Sequence, residues 1–114
     1  MPTNLETVAK EKGTYAITCT FTDEDDAAVT PDSIVWSLTD TDGTVINNRD
    51  QVAVAVPASS VEIVLSGDDL EVTETAGFVE RRFIVEIVFD SDLGNNLPHK
   101  DECTFSLENL TKVT

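Results

Sequence analysis

Basic residues are scarce in this chain of 114: seven Lys and Arg stand against 22 Asp and Glu, a formal net charge of −15. A surface of that sign repels phosphate backbones and anionic lipid over roughly a Debye length, so neither nucleic acid nor a membrane is an expected partner. The acidity instead suits a small protein made and packed in many copies. Histidine occurs once, as His99 after Pro98 in a polar stretch, where a solvated side chain is expected. There is no His-x-x-His or Cys-x-x-Cys pair, no glycine-rich phosphate loop and no Gly-x-Ser-x-Gly elbow. An enzyme is therefore not expected, and no catalytic, cofactor-binding or metal-binding residue is assigned. Two cysteines, Cys19 and Cys103, are too few for a disulfide scaffold. Both alternate in phase with apolar neighbours, which predicts buried free thiols; a bridge between them requires Cα atoms within about 7 Å. No apolar run is long enough to span a membrane, and residues 1–13 lack the apolar core of a signal peptide, so residence in a cytoplasm is the expectation.

What the chain does have is alternation. Tyr15, Ile17, Cys19 and Phe21 take every second place, as do Ile34, Trp36 and Leu38, then Val61, Ile63 and Leu65, then Phe83, Val85, Ile87 and Phe89, then Cys103, Phe105 and Leu107. Period two marks strands buried on one face, and no stretch shows a helical apolar stripe. Two antiparallel sheets hiding one face against each other satisfy this pattern. A single domain over 1–114 is expected, with 1–4 and 109–114 frayed; this length buries roughly two-thirds of the surface its unfolded form exposes.

Along the chain, residues 5–9 read as a short edge strand and 10–13 as its turn, with Gly13 supplying the positive φ. A strand over 14–22 stops at Asp23-Glu24-Asp25-Asp26, and Pro31 delays the next strand to 33–39. Asp42-Gly43 predicts a tight hairpin turn that returns 44–48 beside it. Residues 51–56 and 61–65 form two further strands. Ser66-Gly67-Asp68-Asp69-Leu70 suits one 3₁₀ turn capped by a hydroxyl or carboxylate. Residues 71–79 carry no clear pattern. The strand 82–89 is central, or covered from outside, because Ile84 and Val88 make its second face apolar as well. A loop over 90–98 and a last strand over 100–107 complete the chain. Trp36 is in phase with the core, and Arg81-Arg82 offset Glu74, Glu80 or Glu86.

About seven or eight short strands with turns every 8 to 12 residues fit an all-β, immunoglobulin-like antiparallel sandwich. Cys19 on one strand and Trp36 on the next strengthen the comparison. The second cysteine falls one strand late and no tyrosine corner precedes it, so a fibronectin III-like variant fits better. In that topology the 23–26 and 90–92 loops share one end, which brings Asp23, Glu24, Asp25 and Asp26 near Asp90 and Asp92. Calcium takes several oxygens, and these loops supply them, but without EF-hand spacing; solvated loop acids are expected and no cofactor.

From Tyr15 to Leu107 the order of landmarks resembles small immunoglobulin-like structural proteins of tailed bacteriophages. The resemblance is carried by Tyr15-Ala16-Ile17, Phe21-Thr22-Asp23-Glu24, Thr30-Pro31, Ile34-Val35-Trp36-Ser37-Leu38-Thr39-Asp40, Gly43, Val45-Ile46-Asn47 and Ile63-Val64-Leu65-Ser66-Gly67-Asp68-Asp69-Leu70, with the arginine-led strand at 82–89. It implies a non-enzymatic virion protein at the head–tail joint, in the tail or as a decoration, located in the particle after synthesis in the host cytoplasm. Its implied partners are other virion proteins and copies of itself, met through strand edges and outer residues such as Ile84 and Val88. Two other classes fit less well: an acidic DNA-mimic inhibitor needs carboxylates spaced like phosphates, and a carbohydrate- or receptor-binding module needs aromatics in loops.

Overall fold

In the computed structural model, which describes residues 3–4, 8–72 and 77–110, alternation has become strand in every stretch that shows it. The strands are β1 (Thr3–Asn4), β2 (Ala9–Lys10), β3 (Thr14–Thr20), β4 (Ser33–Thr39), β5 (Val52–Ala53), β6 (Ser60–Ser66), β7 (Phe78–Ser91) and β8 (Gly94–Glu108). A six-stranded sheet runs β1-β8-β7-β4-β5, with β2 also on β8, and β3 pairs with β6 in a second, two-stranded sheet. The chain is all-β and sandwich-like, with its largest apolar cluster between its layers and a smaller one of Phe21, Ile34 and Ile87. Tyr15, Ile17, Ile63 and Leu65 from the small sheet meet Trp36, Leu38, Phe83, Phe105 and Leu107 from the large one. Two ring stacks cross this interior, Tyr15 on Phe105 at 4.8 Å and Trp36 on Phe83 at 5.5 Å between centroids. Leu38, Leu65, Phe105 and Leu107 are fully buried, each worth roughly 1.5–3 kcal/mol of transfer free energy.

The expectation of purely antiparallel sheets is corrected. β4, β5, β7 and β8 pair antiparallel, but β1 and β2 both lie parallel to β8, with Thr3 opposite Cys103 and Ala9 opposite Leu107. Alternation reports which face is buried and carries nothing about a neighbour's direction. Near the two ends of the described residues, Thr3–Asn4 pair with β8, Asn109 N–H donates to Gly77 O, and Leu110 N–H donates to the Glu11 carboxylate. Residues 1–2 and 111–114 lie outside the described residues, as do 5–7 of the first edge strand and 73–76 of the patternless stretch.

Three local differences have clear causes. In the turn after β2 the positive φ falls on Lys12, at 56°, and not on Gly13. Gly13 instead lies close to the chain, where a Cβ would make a tight 3.2 Å contact with Lys10 O. Residues 94–98, expected as loop, extend β8, so β7 and β8 form one long hairpin turning at 92–93. Pro98 is tolerated inside it because of its phase. Val88, its partner, gives its carbonyl to Asp32 N–H on the β4 side, so the Val88–Pro98 pair is not hydrogen-bonded and the missing N–H faces the outer edge of β8.

The third difference concerns 44–56. The Asp-Gly turn forms, with Gly43 at φ 90° and Thr39 bridged to Val45. In that register Trp36 would face Asn48, yet it faces Val52. The intervening loop carries Asn47, Asn48 and Gln51 at positive φ, and of the strand expected over 51–56 only Val52–Ala53 form, as β5 on the β4 edge. The 3₁₀ turn (η1, Gly67–Leu70) forms as expected.

Candidate functional site

Among the described residues the small sheet has two strands, and one edge of β3 pairs with neither sheet. Phe21 N–H donates to Ser59 O, and Gly13 O accepts from Gly67 N–H, so odd-numbered residues along β3 bond toward β6. Strand geometry then turns the N–H and C=O groups of Ala16, Thr18 and Thr20 outward. No strand among the described residues pairs with that edge. The opposite layer is also open here. β1 and β2 reach β8 only at Cys103–Thr104 and Leu107–Glu108, so the outer edge of β8 from 94 to 102 is uncovered among the described residues.

Between these edges lies a cleft of about 400 Å³. Its floor is apolar, from Phe83, Val85 and Ile87 of β7, and β3 forms one wall from Ile17 to Thr22. On the β8 side it is bounded by His99, Asp101, Glu102 and Cys103. His99 thus sits exposed on a strand opposite Ile87, and not in the loop expected for it. His99, Asp101 and Cys103 share the β8 face that carries Phe105 and Leu107, because they alternate in the same phase. The small sheet is too narrow to cover that face at 99–101, which leaves polar residues at the margin of an apolar floor.

Both cysteines line this cleft, half-buried and unbridged. Burial pushes the Cys19 thiol up to about 11, with the Asp101 charge adding to it. Cys103 is pushed up to about 12, by burial first and then by Cys19, Asp101 and Glu102. Thiols held protonated in this way are poor nucleophiles and poor metal ligands at neutral pH.

At the β3 end of the molecule the expected neighbourhood of acidic loops is present. Ligand oxygens of Glu24, Asp25 and Asp92 lie within 4.8 Å of one another, all three residues exposed. Asp23 and Asp90 have local duties instead: Asp23 Oδ1 accepts from Asp25 and Ala27 N–H, and Asp90 Oδ1 accepts from Asn96 N–H. Three exposed carboxylates offer a calcium ion only part of the roughly six to eight oxygens it takes.

The outer face of the large sheet is mixed in character. Ile84 and Val88 are on it, but half-buried within a lattice of charged partners. Arg82 meets Glu102 at 2.9 Å, and Glu86 takes Lys100 at 3.6 Å and Gln51 Nε2 at 2.6 Å. The acid partner of Arg82 is thus Glu102 across the ladder, a residue sequence proximity did not suggest. Arg81 points inward at 1% exposure and donates to the carbonyls of Glu80 and Glu71. Glu74 lies outside the described residues. Trp36 is core, as expected, with the Arg49 guanidinium 5.8 Å from its ring.

Asp69 caps the 3₁₀ turn as a carboxylate was expected to, but its burial and its partners from the 47–49 loop were not foreseen. At 2% exposure its carboxylate accepts from Asn47 Nδ2 at 2.8 Å, Arg49 Nε at 2.7 Å and Ser66 N–H at 3.2 Å. Burial alone would raise its pKa; the Arg49, Asn47 and Ser66 hydrogen bonds outweigh that and hold it below the usual carboxylate range. The looped-out stretch after Ile46 is what delivers Asn47 and Arg49 to it. This cluster fastens η1 to the β4 edge and is structural. Comparison with family models, with curated proteins and with solved structures returned no match.

Proposed function

We propose that the chain is an immunoglobulin-like, non-enzymatic structural or accessory protein of a bacteriophage particle, working by protein–protein docking. The immunoglobulin-like assignment draws support from strand order. β3 and β6 form one layer, and β4, β7 and β8 form the other, with the first strands laid parallel on β8; this follows the two-layer Greek-key arrangement of those domains. It departs from that arrangement where β5 stays on the β4 edge.

The observation that carries the docking function is the free edge of β3 beside an apolar-floored cleft. An unpaired edge next to uncovered apolar surface is a template for another chain, and natural proteins protect such edges when nothing is meant to pair there. The outer sheet face contributes less, since Ile84 and Val88 are half-buried and share it with the Arg82–Glu102 and Lys100–Glu86 ion pairs. Among aromatic side chains only Phe78, at 58%, is strongly exposed, which gives a carbohydrate-binding surface little support. Mass spectrometry of purified phage particles tests the proposal: the chain is expected as a stoichiometric component, and its absence from particles made by a phage that encodes it would refute the assignment.

A further inference from the structure

The cleft between β3 and β8 has one wall whose outward backbone groups face no strand among the described residues, an apolar floor, and an acidic margin. From this we infer that it receives an extended segment of a partner protein, apolar at alternate positions and flanked by Lys or Arg, which adds as a strand to the outer edge of β3. The inference rests on the docking function and names the occupant. The groups offered are the N–H and C=O of Ala16, Thr18 and Thr20, which face no strand among the described residues. A strand hydrogen-bonded to them widens the small sheet and carries its inward side chains over Val85, Ile87 and Cys103, completing the roof over the floor.

Charge selects the occupant. The cleft margin holds the exposed Asp101 beside His99 and beside Glu102, which Arg82 engages, and Glu24, Asp25 and Asp92 converge at the end where β3 runs out. Lys100, the nearest cation in sequence, is turned to Glu86 on the outer face. A second copy of this chain would bring another −15 to the same place, whereas a segment with basic flanks gains at both ends. The half-buried Cys103 and the exposed Asp101 side by side on β8 suit an entering strand that is apolar in its centre and cationic at its margin.

The test uses two synthetic octapeptides of alternating valine and threonine, one flanked by lysines and one by glutamates, titrated into the whole protein. The lysine-flanked peptide is expected to slow amide hydrogen exchange at Ala16, Thr18 and Thr20, and to bind at least about tenfold tighter than the glutamate-flanked one. Thr18→Pro, which removes an outward N–H without touching the β6 ladder, is expected to abolish both effects. Asp101→Lys alters an exposed side chain, so it decides the matter if the proline variant does not fold; it is expected to weaken the lysine peptide and strengthen the glutamate peptide. Equal affinity for both peptides, or protection confined to β5 or β8, would overturn the inference. A protein that takes the lysine peptide but is missing from particles loses its assignment to the virion and keeps this site; one present in particles whose β3 amides ignore the peptide does the reverse.

Discussion

Asp69 shows how a single carboxylate can matter in a chain crowded with acids. It is buried and holds three donors, so replacing it with asparagine removes charge from Arg49 and leaves donors poorly matched. We expect Asp69→Asn to lower stability by about 1–3 kcal/mol at pH 7, read from the midpoint of urea unfolding. The pH dependence follows from the depressed pKa: the stability it confers is present above the unfolded aspartate value of about 3.9 and is lost as pH falls toward the folded value. The gap between wild type and variant should therefore close below about pH 4; a gap constant from pH 7 to pH 2 would refute the ionic role. The thiols give a second residue-scale test. With Cys19 near 11 and Cys103 near 12, Ellman's reagent at pH 8 should find both nearly unreactive until the chain is unfolded. Sequence phase predicted that both cysteines would be covered, and it placed Trp36 in the core. The sequence also offered a carboxylate as cap of the 3₁₀ turn, which Asp69 supplies by accepting from Ser66 N–H, but not the burial of Asp69, because that depends on Asn47 and Arg49 being brought from elsewhere in the chain.

At the scale of elements, β4 was legible to the residue, and β3, β6 and the central position of β7 nearly so, because each alternates strictly beside a turn with its own chemistry. The errors fell where pattern and partner part company. Residues 94–98 contain Asn, Gly and Pro, the composition of a loop, yet they lie opposite Val88, Phe89 and Ser91, and an apolar, well-formed β7 imposes its extension on them. Proline survives there because its nitrogen faces the open edge, where it also denies that edge a donor. Pro98→Ala should accordingly change stability by less than about 1 kcal/mol. It should also raise self-association at high concentration, measured by sedimentation; a large loss of stability would show that the ring itself is needed in the hairpin. For packing, Phe105→Ala should cost about 3–5 kcal/mol, since the ring is fully buried and stacked on Tyr15 across the layers. A thermal midpoint close to wild type would contradict the placement of β8 over the small sheet. The candidate site was legible only in part: the meeting of the 23–26 and 90–92 loops was expected from topology, while the cleft arises where no strand among the described residues pairs with β3, and no residue marks that in the sequence.

As a whole the molecule is long and narrow, with principal extents of 51 × 25 × 22 Å, because the β7–β8 hairpin far outreaches the two-stranded sheet facing it. A full partner for that hairpin would need a third strand in the small sheet, beside β3. The lopsided layers, the free edge and the cleft are thus one property seen three ways, and the −15 charge sets the sign of whatever fills the gap. Residue-by-residue amide hydrogen exchange along β3 in the free protein tests this most directly. Tyr15, Ile17 and Cys19, bonded to β6, should exchange slowly while Ala16, Thr18 and Thr20 exchange quickly, in strict alternation. Uniform protection along the strand would mean that the edge is already paired, and the account of an open docking edge would be wrong.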